Sequence, residues 1–193
     1  MIDCFMAALA AGMVIGISGT AYMSVDNHYI GALLFCIGLF TICTFNLNLF
    51  TGKVGYAEKW REIRNLGTIW LGNLLGTYLC ALLITTAIPE IADFSNVLAL
   101  SRISQTAYKT AILSTLCGIL MFIAVETYKR GQLLGILFCV PTFILCGFEH
   151  SVADMFYFAA AGRMLEALPH LILVSLCNGL GARCARMVLG KGI

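Results

Sequence analysis

His150 has the most conspicuous chemistry of any residue in this sequence. It lies next to Glu149 and four residues before Asp154, within a polar interruption of an apolar stretch. Histidine titrates closest to neutral pH, with an unperturbed pKa of about 6.5. Thr51 lies in a second polar interruption, and its hydroxyl could donate to an imidazole nitrogen or to a passing anion. A lone histidine in an apolar setting is usually a core residue, but these neighbours favour a pair that handles a proton and a small anion.

The composition predicts that a membrane surrounds these residues. The chain has 193 residues, of which 60% are apolar and 11% charged, whereas soluble domains are about 25% charged. A net charge of +2 from scattered lysines and arginines excludes nucleic-acid binding as the function. A helix needs about 20 apolar residues to cross a bilayer. Six candidate spans meet or approach this length, at 4–25, 28–52, 65–89, 110–125, 131–148 and 167–182.

The distribution of lysine and arginine predicts the orientation of the spans. Nine fall on one face and three on the other, which predicts a multi-pass protein of the cell membrane with both termini in the cytoplasm. The segment 91–108 is too polar to span and is predicted to lie on the outer face as a surface helix or loop, with a role that could be only connective. Asp3 stands where a signal peptide would carry a positive charge, so we expect the first span to be retained. With about three residues ahead of that span, we expect no N-terminal helix that closes the cytoplasmic mouth.

Nine cysteines lie within or beside the apolar spans, and none forms a CxxC pair. Buried free cysteine behaves as a small hydrophobic residue. We therefore predict no metal site, no cofactor and no disulfide.

The two halves of the chain echo each other. LGNLLG at 71–76 matches LCNGLG at 176–181, at an offset of 105 residues. Small residues let helices approach closely in lipid, so a single copy would indicate only a packing face. Two copies at corresponding positions, with three spans in each half, predict an inverted 3+3 repeat within one channel domain, 1–193. The repeats would cover about 1–90 and about 107–190.

The second and fifth spans each end in residues that suit a lipid-facing helix poorly, NLNLFTG at 46–52 and GFEHSVADM at 147–155. Irregular backbone persists at membrane depth only where protein buries it or where it lines a cavity. We therefore predict that both helices are broken there. If the repeat holds, Thr51 is the counterpart of His150 and the two meet at the centre of the molecule.

These two interruptions, together with the repeated LGNLLG-type helices, resemble the hallmarks of the formate/nitrite transporter family. The likeness covers nearly the whole chain. The resemblance implies an all-α integral membrane protein of aquaporin-like fold, with six transmembrane helices per protomer and a homopentamer with one pore in each protomer. It also implies small monovalent anions or their conjugate acids as substrates, such as formate, nitrite or hydrosulfide, with protons and membrane lipid as the other partners. The absence of an NPA tripeptide excludes the aquaporins themselves.

Matching this chain to the family position by position implies two apolar constrictions, Phe35 with Leu39 on one side of the histidine and Phe143 on the other. The family's outer-vestibule cation would be Arg102, with Lys109 as the alternative. The implied substrate pathway comprises Phe35, Leu39, Asn48, Thr51, Phe143, Glu149, His150 and Asp154.

Several positions depart from the family pattern and leave the identity of the substrate open. Asn48 replaces the usual Glu before LFT, Lys53 replaces an Asn after LFTG, and Asp154 replaces the Asn of ANM. In the fourth span, Gly118 stands where an Asn is typical, and Glu126 stands where an AVW sequence ends.

A bare anion has a steep desolvation cost in an apolar constriction, far above that of a neutral acid. We therefore expect a cation such as Arg102 to concentrate the anion, and His150 to offset its charge as a proton donor or as a positive charge. Two other interpretations use the same residues. One is an intramembrane protease built on the GISG sequence at 16–19 with His150 as its base, and the other is a membrane-embedded sensor.

Overall fold

The computed structural model describes residues 2–190, and every regular element in that range is helical. In chain order the helices are α1 (Ile2–Met23), α2 (His28–Leu34), α3 (Cys36–Thr44), α4 (Phe50–Lys53), α5 (Trp60–Ala87), α6 (Glu90–Ile103), α7 (Ala107–Lys129), α8 (Leu134–Leu145), α9 (Ser151–Ala160) and α10 (Met164–Leu189), and a 3-10 turn (Val54–Tyr56) follows α4.

Four of these helices, α1, α5, α7 and α10, are long and apolar enough to cross a membrane. Their most apolar stretches have mean hydropathies of 1.4 to 1.8. They coincide with the first, third, fourth and sixth spans predicted from the sequence, so the protein is a multi-pass membrane protein. Shorter helices occupy the other two predicted spans: α2, α3 and the start of α4 lie in the second span, at 28–52, and α8 lies in the fifth span, at 131–148. Helix α9 begins just beyond the fifth predicted span.

Glycines set the distance between the long helices, since α1 packs along α5 and α7 packs along α10. A Cβ atom at Gly76 of α5 would overlap the backbone of Leu9 in α1. In the second pair, a Cβ atom at Gly118 of α7 would overlap the backbone of Asn178 in α10. Lipid tails are as apolar as the helix surfaces, so this close van der Waals contact is what stabilises such pairs. Close packing of α7 on α10 therefore explains why a glycine stands at position 118, where the family pattern has an asparagine.

Both shorter segments are interrupted where the sequence predicts. The backbone is irregular at 45–49 and at 146–150. Each interruption passes through one residue of left-handed conformation, Asn46 with a φ of 51° and Gly147 with a φ of 66°. Glycine adopts this region without steric cost, and asparagine is among the few other residues that tolerate it.

A single buried amide, that of Asn73 in α5, holds the first interruption. Its Oδ1 accepts a hydrogen bond from the backbone N–H of Phe50 at 2.8 Å. Its Nδ2 donates to the carbonyl oxygens of Ala8 at 2.7 Å and of Asn48 at 2.9 Å. Because the irregular backbone has no helical partners, these bonds satisfy groups that would otherwise be buried without a partner.

Asn178 in α10 does the same for the second interruption. Its Oδ1 accepts from the backbone N–H of Ser151 at 2.9 Å. Its Nδ2 donates to the carbonyl oxygens of Ser114 and of Glu149, both at 2.8 Å. The repeated LxN sequences therefore tie the broken segments to the long helices as well as forming packing faces.

These paired bonds identify which residues of the two interruptions correspond. Asn73 bonds to the residues at 48 and 50, and Asn178 bonds to those at 149 and 151, an offset of 101. His150 therefore corresponds to Leu49, and each is the N-cap residue of the short helix that follows it. The prediction that Thr51 is the counterpart of His150 was wrong, because the repeat offset inferred from residue types alone was two residues too short.

The polar segment at 91–108 contributes α6 and the start of α7. Helix α6 packs against α9 and buries Ile91, Ser95 and Ala99. Its role is not only connective, because Arg102 in its last turn pairs with two carboxylates beside the second interruption.

Candidate functional site

Thr51 and His150 meet at the centre of the molecule, as the sequence predicts. The hydroxyl Oγ1 and the imidazole Nε2 lie 2.9 Å apart, and the two residues are 1% and 2% exposed. The other ring nitrogen, Nδ1, accepts a hydrogen bond from the backbone N–H of Ala153 at 3.0 Å. Since Nδ1 is an acceptor, a neutral ring carries its proton on Nε2 and donates it to the Thr51 hydroxyl.

Two phenylalanines cover the imidazole. The ring of Phe143 stacks on His150 at a centroid distance of 5.3 Å and an angle of 16°. Phe35, the residue between α2 and α3, meets Phe143 edge to face at a centroid distance of 5.9 Å. Phe35 and Phe143 therefore lie together, and the predicted grouping of Phe35 with Leu39 was wrong. Helical spacing places residues at 35 and 39 on one face. The long Phe35 ring nevertheless reaches Phe143.

Leu39 lies in a second apolar region. It lines a cavity of about 230 Å³ together with Leu49 and Val125, and Lys53 and Lys129 also line this cavity. The cavity lies where α7 ends, and residues of the first interruption also line it. We call this end of the molecule the basic end, because Lys53, Lys129, Arg183 and Arg186 lie there. The departure at Lys53 therefore adds a positive charge to this cavity.

Asn48 was predicted to line the substrate pathway, but its side chain points elsewhere. Its Nδ2 donates to the carbonyl oxygen of Cys4 at 3.2 Å, near the start of α1. The residue is absent from the lining of the cavity at the basic end. Glu126, another departure from the family pattern, accepts a hydrogen bond from Tyr56 at 2.7 Å and helps to hold the turn after α4 against α7.

Arg102 is the centre of a buried ionic group, which we call the Arg102 cluster: Arg102, Glu149, Asp154 and His170. The guanidinium pairs with Glu149 and lies 3.0 Å from Oδ1 of Asp154. Gln105 donates to Glu149 at 2.8 Å, and Nε2 of His170 lies 3.5 Å from the same carboxylate. The Arg102 and His170 side chains are 14% and 9% exposed, and the carboxylates are at most 1% exposed.

The structure changes the interpretation of the predicted vestibule cations. Arg102 is not a free cation, because its guanidinium forms ion pairs with two carboxylates. Burial alone would lower the pKa of its guanidinium, but Asp154 and Glu149 outweigh that effect and raise the pKa above its ordinary value. Lys109 is exposed and makes no ion pair with the residues at 2–190. Its role as the vestibule cation stays a prediction.

His170 is the member of the cluster that sequence reasoning missed. It lies within an apolar helix, away from both polar interruptions, so no local pattern distinguished it. Glu149, Asp154 and His170 bring potential ligand atoms within 4.8 Å of one another. Arg102 already supplies the positive charge among them, so we assign this group as an ionic cluster rather than as a metal centre.

The serine of the GISG sequence is far from protease geometry. The Oγ atom of Ser18 donates to the carbonyl oxygen of Val14 at 2.8 Å, within its own helix. Both ring nitrogens of His150 are engaged, by Thr51 and by Ala153. No Ser–His pair forms between them, so the protease interpretation is not supported.

The family description "Formate/nitrite transporter" matches residues 1–185. The chain belongs to the formate/nitrite transporter family. Family members similar to it include the nitrite transporter NirC of Salmonella typhimurium, which is 30% identical over 121 residues. That match covers 58% of this chain and 44% of the relative. The formate channel FocA of Haemophilus influenzae is 24% identical over 181 residues, covering 79% of this chain and 64% of that channel.

Solved structures with the same fold include members of this family. A pentameric formate channel with formate bound has a TM-score of 0.82 at 22% identity, and the match covers 98% of this chain and 94% of that one. An ion channel of the formate/nitrite transporter family also has a TM-score of 0.82, at 26% identity, with coverage of 98% and 87%. The aligned part of this chain nevertheless spans less than half the length of the NirC relatives.

Proposed function

We propose that this protein conducts small monovalent anions or their conjugate acids, such as formate, nitrite or hydrosulfide, and that passage is coupled to protonation at His150. The observation that carries the proposal is the buried Thr51–His150 pair with apolar side chains on both sides. Phe143 and Phe35 lie on one side, and Leu39 with Leu49 lines the cavity on the other. The names of the similar relatives, a nitrite transporter and a formate channel, support the same substrate class.

The chemistry of the pair suits an anion that crosses an apolar region. Transferring a bare anion into such a region is costly unless its charge is compensated or neutralised by a proton. The Nε2–H of His150 and the hydroxyl of Thr51 are the donors that an anion between the apolar groups would meet. Proton transfer to the anion needs the imidazolium form of His150, because a neutral ring that gave up its Nε2 proton would be left as an imidazolate. The second ring proton would lie on Nδ1, in place of the hydrogen bond from the backbone N–H of Ala153. Transfer of the Nε2 proton would then yield the neutral acid and a neutral imidazole protonated on Nδ1.

We further propose that the chain is one channel domain of six spans in an inverted 3+3 repeat of aquaporin-like form. The matched amide bonds of Asn73 and Asn178 and the matched left-handed residues Asn46 and Gly147 support the repeat. The second and fifth spans would then be the broken segments that contain α2 to α4 and α8 to α9. The excess of Lys and Arg at the basic end supports a cytoplasmic location for that end.

We also propose that the protein assembles as a homopentamer with a pore in each protomer. The pentameric formate channel of the same fold supports this stoichiometry. Large apolar side chains on the outer faces of the long helices, such as Leu71, Leu83 and Leu176, are exposed and available for contact with lipid or with a second protomer.

Flux measurements test the proposed function. The purified protein is reconstituted in liposomes, and uptake of formate, nitrite, hydrosulfide, acetate and lactate is followed by stopped-flow light scattering at several pH values. We expect His150→Phe to abolish acid-coupled flux while the protein still folds and assembles, because the imidazole compensates charge. Ser18→Ala is the matched control, since Ser18 bonds only within its own helix. Unchanged transport in the His150 variant across the pH range would end the proposal of proton coupling at this residue, and the absence of anion flux in the unmodified protein would refute the transport function.

A further inference from the structure

The Arg102 cluster holds more acid than base. Glu149 and Asp154 are both fully buried, and the guanidinium of Arg102 is the one permanent positive charge that pairs with them among residues 2–190. With a neutral His170, the cluster would carry a net charge of −1 if both carboxyl groups were ionised. An uncompensated buried charge is costly unless it is paired and hydrogen-bonded.

The two carboxyl groups are not equally well satisfied. Glu149 has the guanidinium on one oxygen and the amide of Gln105 on the other. Asp154 lies near the guanidinium, but neither of its oxygens has a hydrogen-bond partner within the described chain, although the residue is 0% exposed. A proton on Asp154 would remove the excess charge and create a donor for the oxygens of Glu149, which lie within 4.8 Å. The imidazole of His170 is the second place where the same proton could lie.

We propose that the Arg102 cluster is a proton-binding site that holds one proton, shared between Asp154 and His170, and that this proton sets the charge beside His150 to 0 instead of −1. Glu149 connects the cluster to the central pair, because it directly precedes His150 in the chain and accepts from Arg102. The partial exposure of Arg102 and His170 gives the proton a route from the solvent at that end. The effect of this charge on anion passage rests on the proposed function, whereas the proton site itself does not.

The groups that surround the cluster are phenols, a thiol and an imidazole. The other titratable or charged groups that face the cluster are Tyr22 of α1, Cys117 of α7, Tyr157 of α9 and His150 of the interruption. Phenols and thiols ordinarily keep their protons at neutral pH. Helix α5 also packs on α9, but its charged residues lie in its first turns at the basic end.

Infrared spectroscopy of the full chain in lipid tests the proton site directly. Spectra are recorded from about pH 6 to about pH 8, where exposed carboxyl groups are ionised and do not contribute a protonated band. We expect the carbonyl band of a protonated carboxyl group in the unmodified protein and its loss in Asp154→Asn. His170→Gln removes the alternative protonation site. In this variant we expect a change in the pH at which the band is first seen.

Glu166→Gln is the matched control, because Glu166 is exposed and pairs with Arg163 outside the cluster. This variant should keep the band and its pH dependence. A band that persists unchanged in Asp154→Asn, or the absence of any such band in the unmodified protein, would overturn the proposal. Size-exclusion profiles and melting temperatures of the variants show whether the chain remains folded.

Flux measurements then test the consequence of the charge. A unit charge about 10 Å from an anion, at an effective dielectric constant of about 20, changes the local anion occupancy by on the order of tenfold. We expect acidification on the Lys109 side to increase formate flux by up to about this factor in the unmodified protein, and Asp154→Asn to remove that dependence. If the infrared band is present but no anion is transported, the proposed function fails and the proton site stands. If anions are transported but the band is absent, the proton site fails and the proposed function stands.

Discussion

Replacing Asn178 by alanine tests whether a single amide holds the second broken segment in place. The side chain is fully buried and makes three hydrogen bonds to backbone groups, at 2.8 to 2.9 Å. The Ser114 carbonyl lies within α7 and keeps its helical partner, so its loss is small. The N–H of Ser151 and the carbonyl of Glu149 belong to irregular backbone or to the first residue of a helix, and each loses the side chain that bonds it.

The magnitude follows from these two groups. A buried backbone donor or acceptor left without a partner costs about 1 to 3 kcal/mol, so two of them predict a loss of about 2 to 6 kcal/mol in the free energy of unfolding. We expect a clearly lower melting temperature in detergent. We also expect faster amide hydrogen exchange at 146–153, because the interruption opens locally before the whole protein unfolds.

The matched control is Asn73→Ala, which removes the equivalent bonds from the first interruption. Exchange should then increase at 45–52 and remain slow at 146–153, the reverse of the pattern expected for Asn178→Ala. If Asn178→Ala melts like the unmodified protein and exchange at 146–153 does not change, the amide is only part of a packing face and the reasoning fails.

Three further predictions follow from the geometry of the pathway and of the helix pairs. Leu39→Ala and Phe143→Ala should each admit larger monocarboxylates such as lactate, since each removes bulk from one apolar region. If both variants keep the original substrate profile in flux measurements, these side chains are only core residues. Gly118→Ala should lower stability by about 1 to 3 kcal/mol because its Cβ would overlap the backbone of α10, whereas Gly67→Ala meets no neighbouring atom and should be neutral or slightly stabilising in a melting experiment. Native mass spectrometry in detergent should detect five copies of the chain, and a monomer or dimer would contradict the proposed assembly.

Hydropathy and polar residues predicted the main features of the fold. Apolar stretches that meet or approach the length needed to span a bilayer located α1, α5, α7 and α10, and polar residues at the ends of two other stretches located both interruptions. The meeting of Thr51 and His150 was predictable because both residues lie in these interruptions, and a backbone that leaves its helix at membrane depth must be buried. The family followed from the same two segments.

The contacts that sequence did not predict depend on helix rotation and on side-chain reach. Phe35 lies between α2 and α3, and no local pattern specifies the direction of its ring, so its contact with Phe143 was not foreseeable. The Arg102 cluster joins side chains 47 and 21 residues apart in sequence from different elements, and His170 lies outside both polar interruptions. The correspondence of His150 with Leu49 became visible only through the backbone groups that Asn73 and Asn178 bind.

The bond between Nδ1 of His150 and the backbone of α9 limits the imidazole to a single proton, on Nε2. The first turn of the helix keeps Nδ1 occupied at 3.0 Å, and the stacked ring of Phe143 opposes a flip of the imidazole. The ring can therefore take up a second proton only when the hydrogen bond from the backbone N–H of Ala153 breaks. Under the proposed function, proton delivery to an anion would then require the first turn of α9 to open locally. Each proton that His150 passes on would be linked to one opening and closing of this turn.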